Sequence, residues 1–221
     1  MIARPALPDL VNTSGGTLDS ISHPPPSEDF LFLKRIIIFA NGDLPNLEKA
    51  RALLHDDDFI IAADGGTRHT LALGLTPKII IGDMDSLPAN FEISKFDDDV
   101  ILYPQDKNET DLELAIQHAL ELDAKEIVVI AALGGRLDQT LANIALLSNL
   151  EPSTFNIKLD DGVEEIFFCR NQVRVQGRSG DIVSLIPWSG EVHQIQTQGL
   201  RWHLNNETLY PEKTRGISNE M

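Results

Sequence analysis

Between residues 34 and 150, short apolar runs alternate with segments of helical period. The runs lie at 35–40, 59–63, 78–81, 99–103 and 126–131. Several, such as Ile36-Ile37-Ile38-Phe39, are apolar without alternation, as strands covered on both faces should be. Helices are predicted at 47–54, 67–73, 112–122 and 139–147; the third places Leu112, Ala115, Ile116, Ala119 and Leu120 on one stripe. Strands alternating with helices predict an α/β fold with a parallel sheet in a three-layer arrangement.

After Glu151-Pro152 the pattern changes. Asp160-Asp161-Gly162 reads as a hairpin turn, and short strands are expected at 167–168, 173–175, 182–186 and 192–195, separated by Gly, Ser and Asn. A small all-β domain is therefore expected over residues 154–221. Residues 1–33 are rich in Pro, Ser and Gly, with Pro24-Pro25-Pro26 at the centre, and read as a flexible leader. The expected organisation is a leader (1–33), an α/β domain (34–150) and an all-β domain (154–221).

Hydrophobic residues make up 42% of the 221, enough for a sizeable core. The net charge of -16 disfavours nucleic acid and anionic membranes as partners. It also repels anionic substrates, which would need a metal or a local cation to dock. One cysteine, Cys169, leaves no intrachain disulfide and fits a cytoplasmic protein. No run is long enough to cross a bilayer as a helix, and the six histidines show no metal-ligand spacing.

The chemistry lies where the apolar runs end. The first leads into Asn41-Gly42-Asp43, the second into Asp64-Gly65-Gly66, the third into Gly82-Asp83-Met84-Asp85-Ser86. The fourth leads into Gln105-Asp106-Lys107-Asn108-Glu109-Thr110-Asp111, and the fifth into Gly134-Gly135-Arg136-Leu137-Asp138. In a parallel sheet all these turns share one edge, the edge where ligands bind. Carboxylates gathered so densely repel one another unless a cation sits among them, and hard oxygen donors favour Mg²⁺ or Mn²⁺. Such an ion points to a phosphate substrate. Gly65-Gly66 and Gly134-Gly135 would let backbone approach a ligand, each ahead of a helix N-terminus that favours anions. Lys107 and Arg136 are the cations of these loops.

Each piece alone has a plainer explanation. Asp is common in turns, Thr110 with Glu113 resembles a capping box, Asp111 and Asp138 suit a first helical turn, and Lys107 suits a solvated loop. Those explanations do not account for five acid-bearing turns at one sheet edge.

Taken in order, these runs resemble the thiamine pyrophosphokinase family from about Ile36 to the chain end, with Gly199-Leu200-Arg201-Trp202 and Gly216-Ile217-Ser218-Asn219 adding to the match. The resemblance implies an ATP-binding α/β domain, a sandwich-like β domain and a homodimer with thiamine bound between subunits. It implies a magnesium-dependent transfer of pyrophosphate from ATP to the thiamine hydroxyl. By position, Asp83, Asp85 and Asp111 look like the magnesium ligands and, with Lys107, the catalytic group. Asp64, Gly65, Gly66, Thr110, Gly135, Arg136, Asp138 and Gln139 look like nucleotide or phosphate contacts. Ser218, Asn219 and Trp202 look like the thiamine pocket, although Trp202 equally suits a core or interface aromatic. Two departures stand out. Position 108 is Asn where members usually carry Asp, and members usually have one more strand after the Ser-Asn pair. Rival expectations are a pterin pyrophosphokinase on a related scaffold, a metal-dependent glycosyltransferase and a non-catalytic nucleotide-binding protein. A dinucleotide oxidoreductase is disfavoured because no G-x-G-x-x-G follows the first run.

Overall fold

The structure, a computed structural model, describes residues 35–86, 100–150 and 155–221. The expected leader, the first residue of the fourth run and the Glu151-Pro152 break lie outside these residues. The described chain forms two compact units, one ending at Phe167 and one spanning Phe168–Met221.

The first unit is a seven-stranded, mostly parallel sheet. Its strands are β1 (Arg35–Phe39), β2 (Phe59–Ala63), β3 (Ile79–Gly82), β4 (Val100–Leu102), β5 (Glu126–Ile130), β6 (Asn156–Asp160) and β7 (Glu165–Ile166). Their order is β4-β3-β2-β1-β5-β6-β7, with only the last pair antiparallel. The helices are α1 (Leu47–Ala52), α2 (Thr67–Ala72), α3 (Asp111–Glu121) and α4 (Leu137–Asn149). Consecutive residues Ile36, Ile37, Ile38 and Phe39 are each 0% exposed, so both faces of β1 are covered, as its unbroken apolar run requires. Each such side chain contributes about 1.5–3 kcal/mol through burial. Asn46 caps α1 by accepting the Lys49 N–H at 2.9 Å, and Thr110 caps α3.

The chain steps outward from β1 to β4, then returns to β5 on the other side of β1. Strand order therefore reverses between β1 and β5, where a crevice opens at the carboxyl ends of an α/β sheet. Across it the turn after β1 is tied to the segment after β5: Gly42 N–H donates to Ala131 O at 2.7 Å and Asp43 N–H to Leu133 O at 3.2 Å.

One boundary differs from expectation. β6 and β7, expected in the all-β part, belong to the parallel sheet, with Ile157 beside Ile127 and Leu159 beside Val129. Their burial pattern alternates in part, so the run resembles an antiparallel strand although it lies beside β5. The Asp160-Asp161-Gly162 turn does join an antiparallel pair, β6 and β7.

The second unit holds two small antiparallel sheets: β8 (Ile182–Val183) with β11 (Asn219–Glu220), and β9 (Val192–Gln196) with β10 (Asn205–Leu209). Val192, Ile195, Leu204 and Leu209 form its core, with Leu185 packed against them. The expected strands at 167–168 and 173–175 are not strands here, while β10 and β11 were not expected. β10 is mostly polar, with Leu209 as its one buried residue, so it lacks the apolar signature.

Candidate active site

The turns after β1, β2, β3 and β5, together with the loop leading into α3, line one cavity of about 520 Å³ in the first unit. Within it Asp64, Asp83 and Asp111 bring carboxylate oxygens within 4.8 Å of one another.

Asp64 stands at the end of β2 and heads a 3₁₀ turn through Gly66. Its φ of 44° is left-handed, a conformation uncommon outside Gly, Asn and Asp and a pointer to a constrained site. It is 4% exposed, and its Oδ1 has no hydrogen-bond partner among the described residues. Thr67 Oγ1 donates to the Asp64 carbonyl at 2.8 Å and fixes the turn. Gly82 ends β3 where a Cβ would lie 2.8 Å from Asp64 Cβ and 3.2 Å from Asp111 Oδ1. Glycine there keeps open the space that the acids share.

Asp111 opens α3, and its Oδ1 lies 3.0 Å from Lys107 Nζ. Burial pushes the Asp111 carboxyl up, Lys107 pulls it back, and Asp64 and Asp83 push it up further. Thr110 Oγ1 accepts the Glu113 N–H at 3.2 Å, so the residue does cap α3, yet it also lines the cavity.

Asp85, expected beside Asp83 and Asp111, lines the same cavity but is not among the three acids whose oxygens converge. Its carboxylate accepts from Ser86 Oγ at 3.0 Å and from Gln105 Nε2 at 2.9 Å. Its N–H donates to Asp83 Oδ1 at 3.2 Å. Met84 between the two acids has φ 64°, which breaks the extended geometry that would aim positions two apart the same way.

The two glycine pairs differ. Neither Gly65 nor Gly66 lines the cavity; a Cβ on Gly66 would sit 1.9 Å from Phe39 O, and one on Gly65 2.4 Å from the Asn41 side chain. They seat the Asp64 turn against the end of β1. Gly134 and Gly135, with φ of 76° and 66°, do line the cavity and face Asp43 instead. Arg136 and Gln139 also line it. Asp138 does not; it pairs with Arg136, Nε to Oδ1 at 3.1 Å, and that guanidinium holds its carboxyl below the usual range.

Asn41, Asp43 and Gln105, which belong to the strand-end turns but carry no individual role in the sequence, also line this cavity, as does Asn143, which lies outside those turns. Asn143 carried a readable signal: it shares the buried stripe of α4 with Leu147, four positions on. Its Nδ2 donates to Ala132 O at 2.7 Å.

In the second unit Asn219 is 2% exposed. Its Oδ1 accepts the Trp202 N–H at 3.0 Å and its Nδ2 donates to Trp202 O at 2.6 Å. The two runs singled out there, 199–202 and 216–219, thus meet in space. Ser218 is exposed with φ 55°, and its N–H donates to Ser184 Oγ at 3.0 Å. Trp202 is 47% exposed, which removes a core role within this chain.

Residues 50–159 match the family described as thiamin pyrophosphokinase, catalytic domain, and residues 170–221 match the thiamin pyrophosphokinase vitamin B1 binding domain. The thiamine pyrophosphokinase of Bacillus subtilis is 30% identical over 193 residues, covering 86% of this chain and 90% of that protein. The crystal structure of a Bacillus subtilis thiamine pyrophosphokinase superposes with a TM-score of 0.74 at 29% identity, over 85% of this chain and 90% of that one. That of the Geobacillus thermodenitrificans protein gives 0.69 at 29% identity, over 84% and 87%. With both units matched and the Bacillus subtilis relative covered over 90% of its length at 30% identity, the chain belongs to the thiamine pyrophosphokinase family.

Proposed function

We propose that this chain transfers the terminal pyrophosphoryl group of ATP to the primary hydroxyl of thiamine, giving thiamine diphosphate and AMP. The observation that carries this reading is the convergence of Asp64, Asp83 and Asp111 on one cavity at the strand-order reversal of a family member. The cluster offers oxygen donors alone, and the buried Asp64 Oδ1 lacks a partner among the described residues, so the residues fit Mg²⁺. Asp64, Asp83 and Asp111 would hold the ion, which when bound supplies neutralisation of phosphate charge. Asp85 supports the group through its N–H on Asp83.

The chain's own residues do the rest. Lys107, its side chain 12% exposed, offers a cation beside Asp111 to a phosphate oxygen. Thr110 keeps its hydroxyl proton to donate to phosphate while its oxygen caps α3. Arg136 and Gln139 stand at the start of α4, whose N-terminal end favours an anion. Gly65 and Gly66 act by seating Asp64, and Gly135 and Asp138 by shaping the Arg136 turn. The thiamine oxygen attacks the β-phosphorus, the bond to the oxygen bridging the α-phosphorus breaks, AMP leaves, and the hydroxyl proton passes to a carboxylate lining the cavity. On the second unit, Trp202 and Ser218 belong to the thiamine pocket, and Asn219 is bonded to the Trp202 backbone.

The working form is a homodimer in the cytoplasm. Exposed Ile182, Ile186 and Ile217 on the second unit support self-association, and the lone cysteine supports the compartment. No described helix is long and apolar enough to cross a membrane.

The test is AMP release from ATP and Mg²⁺ with and without thiamine. Thiamine-dependent AMP matched by thiamine diphosphate, abolished by EDTA and restored by Mg²⁺, is the expected result. Nucleotide binding without AMP would favour the non-catalytic reading, and AMP released only with a hydroxymethyl pterin would favour that acceptor.

A further inference from the structure

We infer that Asn219 is a positioning residue, fixing the backbone of Trp202 and through it the indole, rather than a residue that touches the acceptor. The inference rests on the reading of Trp202 as part of the acceptor pocket.

Asn219 has almost no surface left, at 2% exposure. Its Oδ1 accepts two hydrogen bonds, from Trp202 N–H at 3.0 Å and Glu220 N–H at 2.9 Å, which uses both lone pairs. Its Nδ2 donates to Trp202 O at 2.6 Å. The amide thus grips both the N–H and the C=O of a single residue 17 positions away, as a neighbouring strand would. Only an amide of this length offers donor and acceptor together: aspartate loses the donor and places an oxygen against the Trp202 carbonyl, and serine reaches less far.

A second tie locks the same loop. Arg201 N–H donates to Glu220 O at 2.7 Å, and the Arg201 guanidinium reaches Glu220 Oε2 at 2.9 Å while lying 4.7 Å from the Trp202 ring centroid. The indole is held from its backbone and along one face, and stays 47% exposed. A fixed, half-exposed aromatic is a preorganised platform for a planar ligand, and holding it lowers the ordering cost of binding.

The experiment uses the full chain carrying Trp188→Phe, which leaves Trp202 as the sole tryptophan of two. Into it are placed Asn219→Asp, Asn219→Ser and Trp202→Ala. Asn219→Asp should raise acrylamide quenching of Trp202 in the ligand-free protein and raise the thiamine KM about tenfold, with the ATP KM unchanged. Asn219→Ser should fall between and serves if the aspartate variant does not fold. Adding either Asn219 change to Trp202→Ala should raise the thiamine KM no further. A raised thiamine KM with unaltered Trp202 quenching, or additive effects in the double variant, would overturn the inference in favour of direct contact. If Trp202→Ala alone leaves the thiamine KM unchanged, the acceptor reading of Trp202 fails, and the quenching result still decides whether Asn219 holds the indole.

Discussion

Asp64→Asn should stabilise the ion-free protein and destabilise it, relative to the parent, once Mg²⁺ is added. Three carboxylates lie within 4.8 Å of one another, and Asp64 is the most buried of them. At that separation a like-charge pair repels by about 3–4 kcal/mol at an effective dielectric near 20. Partial exposure of Asp83 and Asp111 screens this to about 1–2 kcal/mol per pair. The substitution removes two of the three pairs, and the left-handed φ of 44° suits asparagine as well as aspartate, so the turn survives. The net gain is about 2–4 kcal/mol, equivalent to roughly 4–16 °C in Tm for a chain of this size. Thermal unfolding at pH 8 in EDTA and in millimolar Mg²⁺ measures it. The parent should rise on adding the ion and the variant should barely move, so that their order reverses. Turnover should fall by about a hundredfold or more. A variant less stable than the parent in EDTA, with an undiminished Mg²⁺ shift, would refute the claim that these acids form the ion site.

Three further predictions follow from the same geometry. Asp111 has its folded pKa raised above the usual carboxylate range, chiefly by burial, so the folded state holds that proton more tightly than the unfolded chain. Ion-free stability should therefore be highest at low pH with respect to this group and fall as pH rises through the folded pKa. Urea midpoints across pH 4–8 in EDTA should show this slope, and Asp111→Asn should flatten it. Lys107→Met should cut kcat about a hundredfold with the fold retained, checked by steady-state rates beside a far-ultraviolet spectrum. Gly66→Ala should lower Tm by far more than Gly74→Ala: the first places a Cβ 1.9 Å from Phe39 O, while the second meets nothing within 4 Å and costs only about 1 kcal/mol for its φ of +69°.

The sheet was legible because its strands are buried on both faces. An unbroken apolar run such as residues 36–39 has no other comfortable place in a globular chain, and β1, β2 and β5 fall within a residue of the runs read from sequence. The second unit was less legible for the opposite reason. Asn205–Leu209 carries one buried side chain, and Asn219–Glu220 is two residues long, held by Asn219's own amide as much as by pairing with β8. β6 was misassigned because its burial alternates in part, which from sequence alone looks like an antiparallel strand.

Which residues reach the site follows from where strands end, and that the sequence shows. Which oxygens converge does not, because it depends on the backbone turn just past each strand. Asp83 and Asp85 sit two apart, the spacing that aims side chains the same way on an extended chain. Met84, with its φ of 64°, ends the extension and sends the Asp85 carboxylate to Gln105 and Ser86. Asp64 enters the trio through the converse event, a left-handed residue made possible because Gly66 leaves room for the Phe39 carbonyl and Gly82 leaves room for the carboxylates. Gly66 and Gly82 are thus read as spaces reserved for a neighbouring backbone or acid. That is why Gly66, outside the cavity lining, should be harder to replace than the cavity-lining Gly135, where a Cβ would lie 3.6 Å from the nearest Asp43 atoms.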